Sequence, residues 1–162
     1  MIFVTVGLEK FPFDRLIRHV DALVGTLTIR EETFVQIGSS KAVPQNCAWM
    51  RSLEYAAFID RICSARIVIT HAGVGSIISC LRYRTIPIAC PRLRIHGEHV
   101  DDHQVEFLRH LEELNTVIPV YDLSDLSSCI EHYDEMAAKR RLRKDDLIPL
   151  MDYLEDFILS CI

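Results

Sequence analysis

The sequence predicts a single α/β domain built on a mostly parallel sheet with helices on both faces. Two observations lead there. Short β-branched runs alternate with longer stretches of helical period, the pattern of repeated βαβ units. The length of 162 residues suits one domain with a core of its own.

Taken in order, Ile2 to Val6 reads as a buried strand that ends at Gly7. After a loop, Phe13, Leu16, Ile17, Val20, Leu23 and Val24 are spaced to share one helical face, and Pro12 suits the first turn of that helix. Thr33 to Ile37 is a second strand, ended by Gly38-Ser39-Ser40. Trp49 lies in a loop-like stretch near Pro44, and an apolar stretch from Tyr55 to Phe58 leads into residues 59–64. Arg66 to Thr70 is a strand that breaks at His71-Ala72-Gly73-Val74-Gly75-Ser76, with Ile77, Ile78 and Leu81 continuing as a helix. Ile86 to Cys90 is another buried strand, closed by Pro91.

Asp101 and Gln104 have the spacing of a capping box ahead of a helix lined by Val105, Leu108, Leu111 and Leu114. Thr116 to Tyr121 reads as a last strand, and residues 124 to about 136 as a helix. Two regions follow from this division: a domain over residues 1–136, and a tail over 137–162. In the tail, the basic run Lys139 to Lys144 precedes a helix start at Asp145-Asp146 and an apolar stripe from Leu147 to Ile158.

Composition excludes several classes of function. Apolar residues make up 49% and charged residues 25%, a globular balance. The net charge of −5 gives the chain as a whole no electrostatic reason to bind nucleic acid. The apolar N-terminal run stops at Gly7 with no basic residues before it, too short for a leader or a membrane span. Six scattered cysteines without a C-x-x-C pair point to a reducing, cytoplasmic setting and away from disulfide scaffolds and zinc ribbons.

In an open parallel sheet, ligands bind beyond the carboxyl ends of the strands. Residues 7–10, 71–76 and 92–104 all fall at such ends, so the sheet brings three distant segments to one edge. In the second segment, Gly73 and Gly75 permit close backbone approach, and Ser76 falls in a first helical turn, where free N–H groups favour a phosphate. The same spacing also serves a tight strand–helix turn with Ser76 as a cap. Neither G-x-G-x-x-G nor G-K-[ST] is present, which argues against a dinucleotide dehydrogenase or a P-loop NTPase. In the third segment, Gly97 to Gln104 concentrates polar side chains that suit sugar hydroxyls. A solvated loop with a capping box fits equally well. A metal at His96, His99 and His103 lacks a matching pair of ligands elsewhere.

Together, Met1-Ile2-Phe3-Val4-Thr5-Val6-Gly7, Phe11 to Ile17, Ile69 to Ile77, and Pro91-Arg92 followed by Gly97 to Phe107 resemble the C-terminal domain of glycosyltransferase family 28. The resemblance covers about residues 1 to 125. It implies a Rossmann-like sheet equivalent to the C-terminal half of a GT-B enzyme, in which two halves face across a cleft and this half holds the nucleotide sugar. By position, Gly7 faces the cleft; His71, Gly73, Gly75 and Ser76 form the turn at the diphosphate; Glu98, Asp102, His103 and Gln104 meet the sugar and its phosphate; Phe58 and Ile59 fall at the uracil. Leu8 stands where many relatives have Thr, and Ser79 where many carry a ribose-binding Glu.

Free-standing members of this kind serve bacterial exopolysaccharide synthesis and eukaryotic dolichol-linked glycan synthesis. The resemblance therefore implies an inverting transferase acting from a UDP-sugar without a metal or other cofactor. It also implies a partner, a membrane-anchored subunit that presents a lipid-linked acceptor and carries the general base. The tail then docks on that partner or on the cytosolic membrane face beside it, or packs on its own domain. The rival reading is a non-catalytic subunit that stabilises a glycosyltransferase whose donor site lies elsewhere.

Overall fold

A computed structural model describes residues 1–140. The expected tail helix lies outside these residues, and the basic run is described only to Arg140. The elements are β1 (Ile2–Thr5), α1 (Asp14–Gly25), β2 (Thr33–Gln36), β3 (Ala48–Met50), α2 (Tyr55–Ser64), β4 (Ile67–His71), α3 (Val74–Arg82), β5 (Ile88–Cys90), α4 (His103–Glu113), β6 (Ile118–Pro119), α5 (Leu126–Glu131) and α6 (Tyr133–Ala138). Among the described residues, no helix is long and apolar enough to cross a membrane.

All six strands are parallel, in the order β3-β2-β1-β4-β5-β6. The predicted Rossmann-like α/β class is the one observed. β1 sits in the middle, with Ile2 opposite both Thr33 and Ile67 and Thr5 opposite both Gln36 and Thr70. The chain runs outward to one side of β1 and then returns to continue on the other. That reversal opens a crevice beyond the carboxyl ends of β1 and β4.

Strand periodicity sorts the core into two layers. Ile2 and Val4 of β1 and Ile67 and Ile69 of β4 join Leu16, Ile17 and Val20 of α1. Phe3 and Val68 point the other way, into a smaller cluster with Phe34, Ile59 and Ile62. Burying the strands on both faces explains why their sequences are almost continuously apolar.

Several boundaries differ from the sequence expectation, each for a local reason. The stretch around Trp49 is not a loop but the edge strand β3, whose three exposed residues are too few to show a strand period. The segment 55–64 is one continuous helix. Pro12 precedes α1 instead of opening it, because Phe13 is the N-cap and donates its N–H to Ser40 Oγ at 2.8 Å. The last strand shrinks to Ile118–Pro119, since Thr116 turns back to close α4, its N–H and hydroxyl both donating to Leu111 O. The expected helix over 124–136 divides at His132 into α5 and α6, and the Tyr133 hydroxyl donates to Ile86 O in the interior at 2.8 Å.

The capping box at Asp101 and Gln104 does not form. Asp102 is the N-cap of α4 and makes no side-chain cap bond. Asp101 Oδ1 instead accepts from the N–H and the ring of His103, and Gln104 Oε1 accepts from Arg92 N at 3.0 Å.

Candidate functional site

The crevice beyond β1 and β4 is an open cleft of about 1100 Å³. The loops after β1, β4 and β5 and the start of α2 form its walls, so the predicted convergence of three segments is present. Its floor is polar. Thr5 and Gln36 are buried side by side, with Thr5 Oγ1 donating to Gln36 Oε1 at 2.7 Å and accepting from Gly7 N at 3.3 Å.

The turn after β4 follows directly from its residues. His71 is 6% exposed, and its ring fills the space that side chains at Gly7 and Gly73 would need. A Cβ on Gly7 would lie 2.6 Å from His71 Cε1, and one on Gly73 would lie 2.1 Å from Nε2. Gly7 also has φ +74, in the left-handed region that glycine enters without cost from a Cβ. Burial, then the charge of Arg92, pushes the His71 pKa down to about 3, against a hydrogen bond with the Thr5 backbone. The ring is therefore neutral over the physiological range.

Past this turn, α3 begins without a side-chain cap. Gly73 N donates to His71 O at 2.7 Å, and the first intrahelical bond runs from Ile77 N to Gly73 O at 3.1 Å. The N–H groups of Val74, Gly75 and Ser76 thus have no backbone acceptor among the described residues, and all three residues line the cleft. No atom lies within 4 Å of where a Gly75 Cβ would stand, so a ligand has open access there. Ser79 also lines the cleft, but its hydroxyl is taken up by Gly75 O at 2.8 Å.

The opposite wall is apolar. Phe58 is half-buried in the cleft beside Leu53 and Tyr55, its ring edge-on to Phe3 at a centroid distance of 5.8 Å. Ile59 turns inward and is core, not lining.

The third wall sorts the polar cluster of 97–104. His99, Asp101, His103 and Gln104 reach the cleft. Asp101 Oδ1 bridges His99 Nδ1 at 3.0 Å and His103 Nδ1 at 2.8 Å, and this hydrogen bond and charge raise the His103 pKa. With its oxygen held by Arg92 N, Gln104 has its NH₂ end left to donate.

Two predicted residues do not join them. Glu98 is buried outside the cleft, accepting from Arg15 Nε and Nη2 at 2.9 Å each and from Leu93 N. Asp102 is exposed and accepts from Arg94 N at 2.9 Å. Both carboxylates shape the loop before α4 and are not presented to a ligand in the cleft.

Sequence reasoning passed over Thr5, Gln36 and Tyr55 as cleft residues, whereas Glu9 falls in the predicted segment 7–10. The signal was available for the first two, because a polar residue at the carboxyl end of an apolar strand has to face either a partner or a ligand. No three histidine, cysteine or acidic side chains are grouped to hold a metal among the described residues.

The comparisons with known proteins agree with this architecture. The model of the glycosyltransferase family 28 C-terminal domain matches residues 1–147. Among solved structures, the glycotransferase of kitacinnamycin is similar, with 15% identity and a TM-score of 0.58. The alignment covers 96% of this chain and 40% of that one, a likeness of fold alone. Comparison with curated proteins found no match.

Proposed function

The chain belongs to glycosyltransferase family 28, as a C-terminal domain of that family, and on that premise we propose that it holds the donor of an inverting two-chain transferase. The donor is a UDP-sugar. A hexosyl or N-acetylhexosaminyl group passes from it to a lipid-linked acceptor, presented by a membrane-anchored partner chain that also supplies the general base. The chain works at the cytosolic face of the membrane through that partner.

One observation carries the reading: the three N–H groups of Val74, Gly75 and Ser76 that open α3 onto the cleft without backbone acceptors. Such a helix start attracts an anion through its dipole and its free donors together. A diphosphate held there gains negative charge as the bond to the sugar breaks. Donors already aimed at it stabilise the leaving group without a metal ion. The apolar wall of Leu53, Tyr55 and Phe58 suits a flat base. Gln104 Nε2 and the neutral His71 ring supply hydrogen bonds for sugar or phosphate oxygens.

One feature supports a general base supplied from outside this cleft. Glu9 and Glu54 are exposed carboxylates in the cleft wall, and Asp101 is committed to two histidines, so among the described residues no carboxylate of the cleft is both buried and free to act as a tuned base.

Calorimetric titration of the full chain with UDP, UDP-GlcNAc, UDP-galactose and UDP-glucose, with and without magnesium, tests the proposal. Metal-independent binding that weakens in Ser76→Ala and Gln104→Ala is the expected result. Absence of binding both alone and with the co-purified partner would leave the rival reading, a non-catalytic stabilising subunit.

A further inference from the structure

Arg92 is the largest fully buried side chain of the described residues, at 0% exposure, and it lies two residues past the end of β5. Its Nη2 donates to Val6 O at 2.5 Å and to Phe11 O at 3.0 Å, the two ends of the loop that carries Gly7, Leu8 and Glu9 into the cleft. Its backbone N–H orients Gln104 from the other side. One residue therefore ties the first and third walls of the cleft together.

The guanidinium is more than this bracing requires. Nε and Nη1 are buried with no hydrogen-bond partner among the described residues. No carboxylate pairs with the charge among the described residues: Glu98 is committed to Arg15, and Glu9 is exposed. Taking a cation out of water is costly, and an apolar side chain of similar volume would generally be as stable or more so. Glu9 and Glu98 favour its charged form without forming an ion pair with it, so the charge remains available to act on the cleft. Its field does reach the cleft, since it helps to hold the His71 ring neutral. Burial draws the arginine's own pKa down, with Glu9 and Glu98 opposing, yet a guanidinium keeps its proton in proteins.

We propose that Arg92 is a positioning residue for the donor's diphosphate, clamping the Gly7 loop from beneath while its charge, in direct contact with no carboxylate among the described residues, makes the cleft selective for anions. The proposal rests on the donor-binding reading above. Arg92 does not touch the ligand. It sets the shape of the loop and the potential above it, and in a low-dielectric interior that potential is weakly screened.

The test compares a charged and an uncharged form of the same nucleotide. UDP and uridine are titrated into the wild-type full chain and into Arg92→Met and Arg92→Lys, with thermal melting as the check on folding. Loss of the charge should weaken UDP by about tenfold and leave uridine within error, since uridine has no phosphate to feel it. Arg92→Lys keeps the charge but not the fork across Val6 and Phe11, and should fall between. Equal weakening of UDP and uridine would show a purely structural residue and overturn the proposal, as would unchanged UDP binding. If Arg92→Met does not fold, the UDP-to-uridine ratio in Arg92→Lys decides: a changed ratio supports the role, an unchanged one ends it. A wild-type chain that fails to bind UDP removes the donor reading and Arg92's role with it, whereas wild-type binding with an unaffected Arg92→Met removes only the latter.

Discussion

The His71 ring occupies the space that a side chain at Gly73 would need, 2.1 Å from the position of its Cβ. The two residues are adjacent but for Ala72, and the turn between them carries the chain from β4 to the helix start that opens on the cleft. The glycine is there for the histidine and the histidine for the cleft.

Gly73 and Gly75 therefore predict opposite outcomes. Gly73→Ala must push the His71 ring aside, because its Cβ would meet three ring atoms under 3.0 Å. A loss of about 1–3 kcal/mol in denaturant unfolding is expected, together with weaker nucleotide binding. Gly75→Ala has open space around its Cβ and lies in a helix, so stability should hold or rise by about 0.5–1 kcal/mol. Its methyl group would instead meet the ligand, and UDP affinity should fall while the melting temperature does not.

Stability should depend on pH through His71. Its folded pKa is about 3, below the unfolded value near 6.5, so between these limits the unfolded chain binds a proton that the native chain refuses. Stability from this group is flat above about pH 6.5 and falls as pH drops, by at most about 1.4 kcal/mol per unit. Urea unfolding from pH 7.5 to pH 5 measures the slope, and His71→Asn should flatten it.

Nucleotide binding should show a separate dependence through His103. Hydrogen bonding and charge from Asp101 raise its pKa, so the imidazolium persists above the usual histidine range. UDP affinity should be highest where His103 is protonated and decline as pH rises through the raised pKa. Asp101→Asn should move that decline to lower pH. A titration series from pH 6 to 9 that shows no displacement between the two proteins would exclude His103 as a phosphate contact.

Glu98→Gln separates architecture from ligand contact. The carboxylate holds Arg15 and Leu93 N and is 6% exposed, while Arg15 is 25% exposed. Losing the charge should cost about 1–3 kcal/mol, below the figure for a wholly buried pair because Arg15 retains solvent. UDP affinity in the folded variant should change little, since the side chain does not line the cleft.

The reading of sequence into structure succeeds where burial imposes a period and fails where it does not. The strands at Ile2, Thr33 and Ile67 and the helix at Leu16 were legible because each must hide an apolar face. β3 escaped notice because Ala48, Trp49 and Met50 hide nothing. The polar run from Gly97 to Gln104 suited a sugar site and a solvated loop equally, and its composition says nothing of direction. Glu98 and Gln104 look equivalent in the sequence, and only packing sends one to Arg15 and the other to the cleft. Arg92 opens the predicted segment 92–104, but its burial beneath the Gly7 loop was not legible for a related reason, since a charged residue reads as solvated until its surroundings are known.

The central place of β1 ties the manufacture of the cleft to the integrity of the sheet. Because Thr5 is registered against Gln36 on one side and Thr70 on the other, a slip of one residue would exchange Thr5 with an apolar neighbour and carry Gly7 away from His71. Insertions or deletions in β1, β2 or β4 should therefore abolish the cleft even in chains that still collapse. Length changes near Leu27, exposed in the connection between α1 and β2, leave this register untouched. Any change in what the cleft accepts is thereby confined to substitutions and to the loops, around a frame that admits no change of count.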